Sequence, residues 1–326
     1  MLIVDIVILV AGFFALIKGA DWFVDGSSGI ARRFHVPQLI IGLTIVALGT
    51  SAPELAVSTS AALQGSNEIA LSNVVGSNIF NLLCVLGVCA LFRPVPVDKG
   101  IIKRDFPLSI AATVAVFACA CAPAFMAGGV QYASMEATIG TISRPLAAAL
   151  VVALIVYLPL LVSDAKRHPA QENEDVKMRR PHVYALMIVL GLALIILGGQ
   201  AVVHAAQQIA RAAGMTETLI GLTIVAVGTS LPELVTSVVA AKKGETGLAL
   251  GNVLGSNLFN MLLILGVSAL IHPITVNLAS AFDLAILTVV SVIAFVCALT
   301  ASSINRLEGA VMVCMYVADV VFAIVR

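Results

Sequence analysis

The sequence predicts an all-α membrane protein of about ten transmembrane helices, built as two inverted five-helix repeats, and three observations carry that expectation. Of the 326 residues, 60% are hydrophobic and only 11% are charged, a balance unsuited to a water-exposed globular surface. Apolar runs of membrane-spanning length, about 17–25 residues each, recur along the whole chain. Finally, Ile40–Val97 aligns with Leu219–Val276 without a gap at an offset of roughly 179 residues, with about 34 of some 58 positions identical.

The apolar runs fall roughly at 2–24, 38–63, 69–92, 106–126, 144–163, 183–205, 217–241, 248–271, 279–300 and 306–325. The first carries Asp5 where a secretory signal would want positive charge and is followed by no small-residue cleavage site, so it reads as a span. Asp164 to Pro181 is the longest polar connection. It divides the chain into a first repeat at 1–163, a cytoplasmic linker at 164–181 and a second repeat at 182–326. Each repeat holds about five spans, an odd number, so the second copy enters the membrane from the opposite face. Arg32, Arg33, Arg93, Lys99, Lys103, Arg104, Lys166, Arg167, Lys177, Arg179, Arg180, Lys242, Lys243 and Arg306 then share one side, with only Arg144, Arg211 and Arg326 on the other. The positive-inside rule places both termini outside a cell (inner) membrane.

Several function classes fall away on composition. Eighteen Lys and Arg balance eighteen Asp and Glu, leaving no basic field for nucleic acid. The six cysteines lie in apolar runs without zinc-ligand spacing, and the five histidines sit near span ends and do not repeat between halves. No resident cofactor is expected.

The chemistry concentrates in a motif that occurs twice: G-T-S-A-P-E at Gly49–Glu54 and G-T-S-L-P-E at Gly228–Glu233. An ionised carboxylate at membrane depth costs at least about 2–3 kcal/mol unless something neutralises it, so a cation is expected beside Glu54 and Glu233. On a helical backbone Thr50, Ser51, Glu54 and Ser58 share one face, and Thr229, Ser230, Glu233 and Ser237 repeat the arrangement. Pro53 has no N–H to donate, which predicts free carbonyls between Ala47 and Thr50. The following span carries Asn73, Ser77 and Asn81 at every fourth position, copied as Asn252, Ser256 and Asn260. Carboxylate, hydroxyl, amide and carbonyl oxygens suit Ca2+ or Na+, and the repeated stripes hold no thiolate or imidazole, Cys84 lying just beyond the first, for softer metals. Ser51 or Ser230 as a hydrolytic nucleophile would need a neighbouring His or Lys, and neither stripe has one. A passive channel is the remaining alternative of another class. Lys18 and Asp21 are expected to pair at the membrane interface.

These paired motifs, G-T-S-A/L-P-E followed by G-S-N-I/L-F-N, resemble the alpha repeats of the cation/calcium exchanger family, in particular its prokaryotic sodium/calcium exchangers. The resemblance implies an antiporter that binds Ca2+ and Na+ in turn at Glu54 and Glu233. Thr50, Ser51, Ser77, Asn81, Thr229, Ser230, Ser256 and Asn260 would assist, with the backbone carbonyls of Ala47 and Ala226. It also implies that spans 1 and 6 slide across the rest of the protein, which would work as a monomer in the bilayer. Relatives that use protons usually carry G-N-x-x-E in place of G-T-S-x-P-E, so the hydroxyls favour sodium over proton- or other-cation-coupled exchange. Both stripes end in an amide here, whereas several members, including the potassium-dependent exchangers, carry Asp in one of them.

Overall fold

In the computed structural model, which describes residues 2–126, 134–167, 179–215, 226–300 and 302–325, long apolar helices account for most of the chain. The first half comprises α1 (Leu2–Arg33), α2 (Gln38–Thr50), α3 (Ala52–Leu63), α4 (Glu68–Phe92), α5 (Phe106–Met126) and α6 (Arg144–Arg167). The second comprises α7 (Pro181–Ala212), α8 (Leu231–Lys243), α9 (Thr246–Ile271), α10 (Leu278–Thr300) and α11 (Arg306–Val325). A short helical turn at Ala226–Gly228 precedes α8.

Eight of these helices are each long and apolar enough to cross a membrane, and the α2–α3 pair adds a ninth span bent by 49°. The bend follows from sequence, because Pro53 has no N–H with which to continue the ladder to Gly49. The span predicted at 217–241 is described only from Ala226 onward, and most of the predicted linker lies outside the described residues. Large apolar side chains such as Ile3, Val7, Phe14, Val189, Leu197 and Val289 face outward, a surface that bilayer hydrocarbon solvates and water does not.

Helices α1 and α7 pack antiparallel along a glycine seam. A Cβ on Gly19 would stand 2.7 Å from the Gly191 carbonyl, and one on Gly191 would stand 2.7 Å from the Gly19 carbonyl, so only glycine permits the contact. At the centre, α4 and α9 are the most enclosed helices, and every residue from Leu248 to Phe259 is buried. Each carries a π-turn, at Asn81–Val85 and Asn260–Ile264, beginning at the last asparagine of its polar stripe.

Two details go beyond the expected helices. Helix α1 continues past the predicted end of span 1 to Arg33, where the partly exposed Asp25 and Arg32 find partners in Lys243 and Glu245. Four short strands also occupy the connections: β1 (Val95–Pro96), β2 (Thr138–Ile142), β3 (Ile274–Asn277) and β4 (Ser303–Ile304). They pair antiparallel as β1 with β4 and β2 with β3, tying the loop after α4 to the one before α11 and the loop after α9 to the one before α6. Runs this short leave no period-2 signal in a sequence.

Candidate ion-binding site

Ser51 occupies the break between α2 and α3, at the N-cap of α3, with Pro53 inside the first turn and Glu54 one position later. Ser230 and Glu233 stand identically at the start of α8. Ser-x-x-Glu is the spacing of a capping box, in which serine and glutamate satisfy backbone amides of their own helix. Neither serine side chain caps its own helix. The pairs are exchanged across the molecule instead: Ser51 donates to Glu233 Oε1 at 3.0 Å and Ser230 donates to Glu54 Oε1 at 3.0 Å. Each carboxylate thus lies in the first turn of one helix, where the helix dipole favours negative charge, and is bonded by a hydroxyl from the other half.

The surrounding polar groups combine bonds across the halves with bonds inside each half. Ser77 Oγ lies 3.2 Å from Glu54 Oε1 and 2.7 Å from Ser230 Oγ. Thr50 donates to Asn252 Oδ1 at 3.0 Å, and Asn252 donates to Ser237 at 2.9 Å. In mirror fashion Thr229 donates to Asn73 Oδ1 at 3.4 Å, and Asn73 donates to Ser58 at 2.9 Å. Asn81 Nδ2 donates to Asn257 Oδ1 at 3.1 Å and Asn260 Nδ2 donates to Asn78 Oδ1 at 3.0 Å.

All of the predicted side-chain ligands except Ser256 take part in these hydrogen bonds, as several small bonded groups rather than one continuous network. Ser256 is fully buried one residue before Asn257, and its hydroxyl has no hydrogen-bond partner. Thr229 joins through Asn73 and is the only one of these side chains that is partly exposed. Ala47 differs from expectation. Its carbonyl keeps a helical bond from the Ser51 amide at 3.0 Å, with Thr50 Oγ1 3.4 Å away, because the missing Pro53 N–H frees Gly49 rather than Ala47. Only a second lone pair on Ala47 could serve an ion. Ala226 opens the turn before Gly228. Asn78 and Asn257 are two central participants outside the predicted set, since each lies one residue off the four-residue stripe. Their signal was the second polar residue of G-S-N, present in both copies.

What remains unsatisfied defines the chemistry. Glu54 Oε2, Glu233 Oε2, Asn81 Oδ1, Asn260 Oδ1 and Ser256 Oγ are fully buried without a hydrogen-bond partner. Orphaned buried acceptors are costly, at about 1–3 kcal/mol each and more when charged. Five of them within one cluster, four unable to donate as carboxylate and amide oxygens, form a donor set suited to a hard cation. Among the described residues no three His, Cys, Asp or Glu side chains gather as they would around a softer metal.

Two cavities approach the cluster from the side of the Leu63–Glu68 turn. One, of about 530 Å3, is lined by Glu68, Asn73, Gly76, Ser77, Asp283 and Asp319. The other, of about 280 Å3, is lined by Pro53, Gln200, His204, Thr229 and Pro232. On the opposite side, the far end of α1 is held by ion pairs. Lys243 bonds Asp21 and reaches Asp25 at 2.6 Å, Arg32 reaches Glu245 at 3.0 Å, and Lys18 bonds Asp21 at 3.1 Å as expected.

Apolar membrane-length helices, one span of them bent by 49°, and buried oxygens brought together from both halves fit a multi-pass membrane protein of the ion-exchanger class. The chain belongs to the sodium/calcium exchanger protein family, whose model matches residues 4–162 and 183–325. It is 32% identical over 351 residues to the sodium/calcium exchanger MaX1 of Methanosarcina acetivorans, covering 98% of this chain and 99% of that protein. It is 34% identical over 296 residues to the inner membrane protein YrbG of Escherichia coli, covering 88% and 86%. Among solved structures, the sodium-calcium exchanger NCX_Mj soaked with 10 mM Na+ and zero Ca2+ matches with a TM-score of 0.82 at 30% identity, over 98% of this chain and 99% of that one.

Proposed function

We propose that this protein is a secondary antiporter that moves Ca2+ against Na+ by alternating access, with Glu54 and Glu233 as its paired ion-binding carboxylates. The observation that carries this reading is the crosswise cluster with five buried, unpartnered oxygens. Ca2+ takes about six to eight oxygens and Na+ accepts the same types with less total charge. Thr50, Ser51, Ser77, Asn81, Thr229, Ser230, Ser256 and Asn260 would complete the ligand set, with the Ala47 and Ala226 carbonyls. Ca2+ and Na+ are cargo, so no resident cofactor is required.

Exchange rather than leak follows from electrostatics. Two bare carboxylates facing a dry barrier are penalised by several kcal/mol. One Ca2+ or a set of Na+ ions removes that penalty, so the loaded states switch and the unloaded state does not.

The architecture that suits this cycle is two inverted five-helix repeats, 1–163 and 182–326, joined by a cytoplasmic linker at 164–181. Both termini face outward from the cell (inner) membrane, and one chain forms the working unit. The α1–α7 pair, seamed by glycine, would move as a unit over the remaining helices. Both cavities then open outward, and the ion pairs of Lys243 and Arg32 close the cytoplasmic side.

Glu54→Gln and Glu233→Gln, reconstituted separately, test the assignment. Each is expected to abolish Na+-driven Ca2+ flux, and near-normal flux in either would contradict it.

A further inference from the structure

We propose that Asn78 and Asn257 are positioning residues that aim the amide oxygens of Asn260 and Asn81 at the ion, each acting on the ligand contributed by the other half of the chain. The inference deepens the exchange reading and rests on it.

A backbone carbonyl can only accept. Asn78 Nδ2 lies 3.3 Å from the Asn257 carbonyl and Asn257 Nδ2 lies 3.3 Å from the Asn78 carbonyl, so both amino groups are committed to donating there. That commitment turns each Oδ1 the other way as an acceptor. Asn260 Nδ2 donates to Asn78 Oδ1 at 3.0 Å, and Asn81 Nδ2 donates to Asn257 Oδ1 at 3.1 Å. With their amino groups taken, Asn260 and Asn81 have one orientation left, and their own Oδ1 atoms stand fully buried and unpartnered. Rotating either amide by half a turn would set two carbonyl oxygens against each other at about the same separation. Donation from an amide N–H also draws electron density toward its oxygen, which makes that oxygen a better cation ligand.

All four asparagines are at most 1% exposed, so water does not compete for these bonds. The chain of dependence runs from a backbone carbonyl on one central helix, through an asparagine of the other, to a ligand amide. Because it is doubled and crossed, the two ligand amides are aimed by the same α4–α9 contact.

The test is a double-mutant cycle on Ca2+ affinity, measured by calorimetric titration of CaCl2 into the purified full-length chain. Asn78→Ala is expected to weaken Ca2+ binding about ten-fold or more, the usual effect of losing an outer-shell partner. In an Asn260→Asp background the carboxylate presents an oxygen in either orientation. There, Asn78→Ala leaves affinity unchanged or improves it, because it removes an oxygen facing that carboxylate. In an Asn81→Asp background the loss persists. An equal loss in all three backgrounds would mean that Asn78 serves only packing and would overturn the proposal, as would no loss in the otherwise unaltered protein. Asn257→Ala, with the two Asp backgrounds exchanged, gives the same discrimination if Asn78→Ala does not accumulate as folded protein. Glu54→Gln is titrated alongside. If it retains Ca2+ affinity, the exchange reading itself fails. If it loses affinity while Asn78→Ala does not, only the positioning role fails.

Discussion

At the scale of single residues, some polar side chains of the site hold the protein together and others are held in reserve for an ion. Ser230 bonds Glu54 and Ser77, whereas Ser256, the counterpart of Ser77 in the second copy, is buried with no partner for its hydroxyl. Removing the Ser256 hydroxyl breaks no protein hydrogen bond. Ser256→Ala is therefore expected to leave thermal stability in Na+- and Ca2+-free buffer within about 0.5 kcal/mol, and to shrink the stabilisation that added Ca2+ produces. Ser230→Ala should lower both. Melting curves with and without Ca2+ separate the two, and a large loss from Ser256→Ala in ion-free buffer would contradict the assignment. Much of this was legible in the sequence, because a carboxylate inside an apolar run demands a counter-charge and the motif names its hydroxyls. The partners were not. Ser51 and Glu54 sit three apart in sequence, yet Ser51 bonds Glu233, 182 residues away. Asn78 and Asn257 fell outside the predicted set because their bonds cross between halves and do not follow helical spacing.

At the scale of elements, the α1–α7 seam and the open flank of α4 behave oppositely toward added volume. A Cβ on Gly19 would enter the backbone of α7, while one on Gly76 would meet nothing within 4 Å. Gly19→Ala is expected to destabilise the protein by about 1–3 kcal/mol, the usual cost of overpacking, and Gly76→Ala to be tolerated. Thermal unfolding in detergent checks the contrast, and equal effects would mean that the seam is looser than the glycine contacts indicate. Helix positions were readable from apolar runs, whereas 38–63 reads as one continuous run and the α2–α3 bend at Pro53 is added by the structure. The π-turns at Asn81 and Asn260 were not readable, since an α-turn and a π-turn use the same residues and differ only in register. The four strands were missed because two to five residues in a loop carry no pattern of their own.

At the scale of the whole molecule, the ion pairs of Lys243 and Arg32 join the end of α1 to α8 and α9 on the face opposite the cavities. Partly exposed pairs contribute about 0.2–1 kcal/mol each, enough together to shift a two-state equilibrium several-fold. Lys243→Gln should therefore favour opening toward the face that carries Arg33. Half-saturating Ca2+ would rise on the outer side and fall on the inner side, measured in vesicles of opposite orientation, and changes of the same sign on both sides would contradict the latch. Duplication of the chain was evident from the 179-residue offset, and so was the expectation that both copies build one site. The latch was not evident, because its charges lie on elements far apart in sequence and ordinary for span ends.

Coupling of Ca2+ to Na+ by this cluster is read out by radiolabelled Ca2+ uptake into proteoliposomes. Vesicles loaded with Na+ are compared with vesicles loaded with K+ or choline, with the pH gradient clamped. Saturable uptake is expected from Na+-loaded vesicles alone. Uptake indifferent to internal Na+ would contradict it and assign the coupling to protons or another cation, while linear, unsaturable uptake would indicate a channel.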